Sequence, residues 1–149
     1  LGLTGGTDVT GFGLAGHLIE MLDSSQVAAE LYLNQIPILP GVAELIDAGV
    51  ESSLAPDKLK VAHRVLAETE NQTKPSYQVL FDPQTCGGLL LAVDPDHVGR
   101  FQKAAAEGNL DRPVEIGRVI LREQDRIAVR VVHESGGAAE PTPYTTARN

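Results

Sequence analysis

The sequence predicts an α+β domain, a mixed sheet with helices packed on it. Strand-like and helix-like stretches alternate irregularly over its 149 residues, which does not suit a strict parallel βαβ array. Residues 94–108 carry strong helix punctuation at both ends, so helices are a real part of the fold. With no Trp and only 4% aromatic residues against 42% hydrophobic ones, the core must be aliphatic, built from Leu, Val, Ile and Ala.

In chain order, residues 10–22 read as a helix with Thr10 as N-cap and Leu14, Leu18, Met21 and Leu22 as its apolar stripe. "VAAELYL" (27–33) reads as a half-exposed strand with Val27, Ala29, Leu31 and Leu33 on one face. After the breaks at Pro37 and Pro40, "GVAELIDAG" reads as a short helix closed by Gly49. Glu44, Asp47 and Glu51 mark a solvated face there. Residues 56–70 read as a further helix, with Pro56 near its start and Leu59, Ala62 and Leu66 inward.

"SYQVLF" and "GLLLAV" read as strands joined by "DPQTCGG". The second is apolar on both faces, which predicts a central strand. Residues 94–108 read as a helix: Asp94 caps it, Pro95 suits its first turn, Gly108 suits its end, and Val98, Phe101 and Ala105 face inward. "VEIGRVILRE" and "RIAVRVV" read as strands around a polar turn at Glu123–Arg126, with Gly117 marking a bulge. Periodicity is lost over residues 133–149, which read as a flexible tail or linker after a domain covering 1–132. The opening "LGLTGG" has no initiator Met and leads almost directly into a motif, so the chain is expected to be cut from something longer.

Composition narrows the function classes. A formal charge of −8 disfavours nucleic acid and anionic membranes, whose phosphates call for Lys and Arg. The single cysteine, Cys86, cannot form an internal disulfide, which fits a reducing compartment. No apolar run reaches the ~18 residues of a membrane helix.

The most informative stretch is "GGTDVTGFGLAGHLIEM", Gly5 to Met21. Glycine costs a helix about 1 kcal/mol per residue relative to Ala, so Gly11, Gly13 and Gly16 ask for a reason. "GFGLAG" matches the dinucleotide fingerprint, and Glu30 lies near the ribose-binding offset. Two features oppose that reading: "TGGTDVT" does not look like the apolar strand the fingerprint needs, and Asp8 would repel a pyrophosphate.

Two readings of the same residues fit the spacing. In one, Asp8 caps the turn and the glycines permit tight packing. In the other, Asp8 and the helix start form a corner for a metal and a phosphate: helix N-termini attract anions, and Mg²⁺ binds through one or two carboxylates plus substrate phosphates.

"TDVTGFGLAGHLIEM" closely resembles the motif that opens the C-terminal domain of the selenophosphate synthetases (selenide, water dikinases). "LFDPQTCGGLLLAV" resembles that family's second C-terminal signature, and "LPGVAELIDAGV" is also similar, so the resemblance runs from about Leu3 to Val132. It implies the largely antiparallel α+β fold of the aminoimidazole-ribonucleotide (AIR) synthetase C-terminal superfamily. It also implies a two-domain, homodimeric cytoplasmic enzyme that uses ATP, Mg²⁺, selenide and water to make selenophosphate, AMP and orthophosphate.

By resemblance, Asp8 is a ligand of the Mg²⁺ that bridges the ATP phosphates, and Thr7, Thr10, Gly11 and Gly13 shape that site. The family's reactive Cys or Sec, its essential Lys, its other metal-binding Asp residues and most of its adenine site lie in an N-terminal domain. The resemblance therefore implies no catalytic residue in this chain, and no reaction by the chain alone. Superfamily relatives of the purine and thiamine-phosphate pathways, and a non-catalytic assembly module, are the alternatives.

The remaining candidates read more simply. Cys86 stands where the family often has Ser and is expected to be a packed small residue. Asp82, Pro83, Thr85, Gly87 and Gly88 suit a tight side-chain-bonded turn that braces the first motif or serves the fold alone. His17 and Glu20, at i and i+3, read as a local pair, while His63, His97 and His133 are scattered.

Overall fold

The computed structural model describes residues 1–50, 52, 59–108, 113–123 and 126–132. The tail reading for 133–149, Glu51 and the Pro56 start of the third helix lie outside the described residues. The described strands form two sheets. A two-stranded ribbon pairs β1 (Leu3–Asp8) antiparallel with β4 (Leu89–Val93). A four-stranded sheet has the order β3 (Val65–Leu66), β6 (Val129–Val132), β2 (Val27–Tyr32), β5 (Gly117–Leu121). β2 runs antiparallel to β5 and parallel to β6, and β3 runs parallel to β6, so the fold is α+β with a mixed sheet. β2 lies between β5 and β6, so those two strands form no hairpin across their polar turn.

The ribbon is the main departure from expectation. "LTGGTD" carries no apolar alternation, and its glycines leave room for neighbouring side chains that lie close. A Cβ on Gly6 would fall 2.7 Å from Leu91 Cδ2, and one on Gly5 would meet Met21 Cε of the first helix at 3.4 Å. A register shift falls between Leu3 and Gly5, whereas Gly117, read as a bulge, opens β5 in regular pairing with Leu31. A Cβ at Gly117 would lie 2.3 Å from the Glu30 carbonyl, so this glycine serves a close backbone approach. β4 is a ribbon strand and not a central one, and its Leu89 and Leu91 are exposed.

Helix α1 spans Gly13–Ser25, three residues later than expected at its start. Thr10 is not its cap: Phe12 holds that position and makes no side-chain cap bond. Leu22 of the predicted stripe is buried and Leu14 and Leu18 pack half-buried against the core, but Ala15 and Ile19 are buried too, because α1 touches both β1 of the ribbon and β2 of the sheet. The core joins these residues to Ala29 and Leu31 of β2, Val129 and Val131 of β6, Val65, Leu33, Ile36, Leu80 and Phe81. Ala29 and Leu31 stand in register with Val129 and Val131, so period-2 alternation builds one apolar sheet face.

Helix α2 (Val42–Asp47) is short and is followed by Gly49 at φ 78°, as punctuation predicts. The expected helix over 56–70 is instead α3 (Leu59–Ala62), strand β3 and α4 (Thr69–Gln72). Pairing of Val65 and Leu66 with Val129 and Arg130 overrides the local helical pattern. "SYQVLF" is also not a strand: α5 (Pro75–Val79) starts with Pro at N1. Tyr77 and Phe81, at i and i+4, stack edge-on with ring centroids 5.2 Å apart. Residues 94–108 follow expectation. Asp94 accepts the Asp96 amide at 2.9 Å, a 3₁₀ turn covers Pro95–His97, and α6 (Val98–Glu107) ends at Gly108 with Ala105 buried.

An ion network closes the far end of α1. Asp23 takes both terminal Arg64 guanidinium nitrogens, Nη1 at 2.5 Å and Nη2 at 2.8 Å, and Arg122 Nη2 at 2.6 Å. The Arg64 hydrogen bond, together with Arg122, holds the Asp23 carboxyl well below the usual carboxylate range against the opposing effect of burial. Glu30, once a candidate ribose ligand, pairs with Arg118 at 2.6 Å across β2 and β5. The fingerprint reading fails on topology: β1 does precede the glycines, but it pairs antiparallel with β4, and β2 belongs to the other sheet.

Candidate functional site

Asp8 is the last residue of β1, opposite Leu89 in the ribbon register, and its side chain is exposed. Gly6, two residues earlier, stands against Leu91. By strand alternation, Asp8 therefore projects on the outer face of the ribbon with Leu89 and Leu91. Thr7 falls on the other face, half-buried, and its hydroxyl donates to the Asp8 carbonyl at 3.1 Å.

From Asp8 the chain enters the loop Val9–Phe12. A second loop, Asp82–Gly88, is bonded to it along the backbone. The Val9 amide donates to the Gly88 carbonyl at 3.0 Å, and the Gln84 amide donates to the Thr10 carbonyl at 3.1 Å. A Cβ on Gly87 would lie only 2.2 Å from the Val9 carbonyl oxygen, so no other residue fits there undistorted. Gln84 Nε2 bonds the Asp82 carbonyl at 3.2 Å and its carboxylate at 3.3 Å, which makes this the expected side-chain-bonded turn. The two sequence motifs, some seventy residues apart, thus form one surface with Asp8 at its edge.

The start of α1 is seated on the same loop. Gly13 takes φ +67°, and a Cβ there would meet the Leu80 carbonyl and Phe81 carbonyl carbon at 2.9 Å. The Gly13 amide bonds the Thr10 carbonyl at 3.0 Å and the Ala15 amide bonds the Leu80 carbonyl at 2.8 Å. Two first-turn amides are therefore engaged within the protein, so the helix start offers an anion less than its sequence suggests. Gly11 differs: a Cβ on it would touch nothing within 4 Å. Its outer side is open space.

His17 is buried although polar. Its Nε2 lies 3.0 Å from the Thr10 hydroxyl, and its Nδ1 lies 3.4 Å from Glu20 Oε2. The local His17–Glu20 pairing read from the sequence is present; the Thr10 contact was not foreseen. The i, i+7 spacing of Thr10 and His17 is the only trace it leaves in the sequence. Cys86 is free and exposed, not packed. His63 is exposed, His97 lies 3.4 Å from Asp94, and His133 is outside the described residues.

Among the described residues no three His, Cys, Asp or Glu side chains gather into a metal-binding group. An exposed carboxylate at the rim of a glycine-lined loop does suit Mg²⁺ that arrives on a phosphate chain, since that ion keeps waters and needs only one or two carboxylates. Among the described residues no helix is long and apolar enough to cross a membrane.

The family model described as "AIR synthase related protein, C-terminal domain" matches residues 2–130, and the chain belongs to that family. Within it, the chain is similar to proteins named selenide, water dikinase. It is 38% identical to the one from Pasteurella multocida over 125 residues, 83% of this chain and 34% of the relative. It is 38% identical to one from Haemophilus influenzae over 131 residues (87% and 36%) and 37% identical to one from Nitratidesulfovibrio vulgaris over 120 residues (80% and 34%). The chain spans about a third of the length of the curated relatives it matches.

Proposed function

We propose that this chain is the C-terminal part of a selenide, water dikinase, and that it supplies one carboxylate, Asp8, to Mg²⁺ carried by ATP. The observation that carries this reading is the backbone union of the two motif loops, which leaves Asp8 exposed at their common edge. In the intact enzyme the reaction converts ATP, selenide and water to selenophosphate, AMP and orthophosphate. Mg²⁺ held by Asp8 would neutralise phosphate charge, in line with the positioning and electrostatic character of phosphoryl transfer.

This chain's own residues position and shape. β1 and β4 fix the Asp8 backbone. Thr7, Thr10 and Gly13 set the loop that follows, and Gly11 keeps its outer side clear for phosphate. No residue here acts as nucleophile or proton donor; those groups and the adenine site belong to the remaining two-thirds of the protein. The isolated chain is therefore inactive, and the working enzyme is a cytoplasmic homodimer. The test is selenide-dependent formation of AMP and selenophosphate by the full-length protein. Formation of both supports the reading. Turnover of ATP on a purine-pathway or thiamine-phosphate substrate with none on selenide overturns it.

A further inference from the structure

The two faces of the β1–β4 ribbon are unlike. In its register Leu3 stands opposite Val93, Gly6 opposite Leu91 and Asp8 opposite Leu89. Opposed residues share a face, and every second residue of a strand returns to it. Leu3, Leu89, Leu91 and Val93 therefore form one apolar stripe on the outer face, and the stripe runs up to Asp8. Leu89 is 74% exposed, Leu3 49% and Leu91 37%. On the inner face Leu90 is buried, and Gly5 lies against Met21 of α1. The ribbon thus leans on α1 from one side only.

Soluble proteins commonly guard exposed sheet edges with Lys or Pro. β1 and β4 contain neither, and Asp8 is their single charge. Among the described residues no third strand pairs with either of them. Val119 and Leu121 of β5 are exposed too, but no site residue stands on that strand. What covers the ribbon follows from Asp8. This chain spans about a third of the relatives it matches, and the groups that complete a site at Asp8 belong to the other two-thirds. To reach Asp8, that part must come over the face from which the carboxylate projects, and there it meets the leucines.

We propose that the stripe of Leu3, Leu89 and Leu91 is the docking surface for the remaining two-thirds of the same polypeptide, and that it holds that part over Asp8. The inference rests on the Asp8 reading given above. Leu3 opens β1 and Asp8 closes it, which puts them roughly 15 Å apart along an extended strand. Leu3 therefore serves docking and makes no contact with phosphate. An apolar patch rimmed by a functional carboxylate is what such an interface presents before its partner is added.

Hydroxyl-radical footprinting of the native full-length enzyme, read by mass spectrometry, tests this. Leu39, 61% exposed in the loop before α2, is the internal reference. Leu89 and Leu91 are expected to oxidise several-fold more slowly than Leu39, although Leu89 is the more exposed of the three in this chain. Equal rates at Leu89 and Leu39 overturn the proposal. Protection that vanishes when the enzyme is diluted to monomers assigns the face to a second copy and also overturns it. Leu3→Ser combined with Leu91→Ser should raise Leu89 oxidation toward that of Leu39 and lower selenide-dependent turnover at least about fivefold, as loss of interface anchors does. Unchanged oxidation and turnover in that variant count against the proposal; if it does not fold, the wild-type footprint still decides. Asp8→Asn separates the two readings. If it abolishes turnover while Leu89 oxidises freely in the wild type, only the docking role fails. If it turns over normally while the stripe is protected, the docking surface stands and the metal role of Asp8 fails.

Discussion

The Val9 amide meets the Gly88 carbonyl at 3.0 Å, and together with the Gln84 amide on the Thr10 carbonyl this bond ties the loop after β1 to the loop before β4. The union leaves no room at Gly87, where a side chain would enter the Val9 carbonyl at 2.2 Å. We expect Gly87→Ala to destabilise the protein by about 1–3 kcal/mol, the usual range for overpacking. Activity of the full-length enzyme should fall with it. Gly88→Ala, with nothing within 4 Å of the added methyl, should leave the melting temperature nearly unchanged. Thermal melts of the two variants side by side check this.

Gly13 and Gly11 separate fold from function. At Gly13 both φ +67° and the Leu80 carbonyl oppose a side chain, so Gly13→Ala should cost about 1–3 kcal/mol. At Gly11 the added methyl meets open space, so Gly11→Ala should fold normally. If the outer side of Gly11 admits phosphate, that variant should raise KM for ATP while the melting temperature holds. An unchanged KM would confine Gly11 to turn geometry.

These glycines also show how much of the molecule was legible in the sequence. Helices with chemical punctuation were readable: Asp94, Pro95 and Gly108 bracket their segment, and Gly49 closes α2. Alternation in "VAAELYL" was readable because one sheet face forms the core. Strand β1 was not, because its reason is the tertiary closeness of Leu91 and Met21 to two glycines. "SYQVLF" misled because a six-residue run with Tyr77, Val79, Leu80 and Phe81 as its apolar residues is short enough to fit either period; Pro75 at N1 marks the helix. At the site, Asp8 and both motifs stood out in the sequence. Their joining through Val9, Gln84 and Gly88, and the contact of His17 with Thr10, depend on long-range backbone placement that spacing does not carry.

The Asp23 network gives a pH signature. Its folded carboxyl is held below the unfolded value, so its contribution is complete above about pH 4, the ordinary carboxylate range, and is lost as pH falls below that. The Asp23 side chain keeps 42% exposure, so solvent screens the pairs. The loss in Asp23→Asn should then be about 1 kcal/mol at pH 7. That corresponds to roughly 2–4 °C in melting temperature for a domain of this size. The gap between wild type and variant should narrow as pH is lowered from 5 to 3. An equal gap at both ends would remove the ion pairs as its cause.

The central claim concerns one exposed carboxylate, so its most direct test is Asp8→Asn in the full-length enzyme. We expect selenide-dependent ATP turnover to be abolished across the accessible range of Mg²⁺ concentration, with the melting temperature nearly unchanged because Asp8 contributes nothing to the core. Turnover close to wild type in a correctly folded Asp8→Asn enzyme would contradict the assignment.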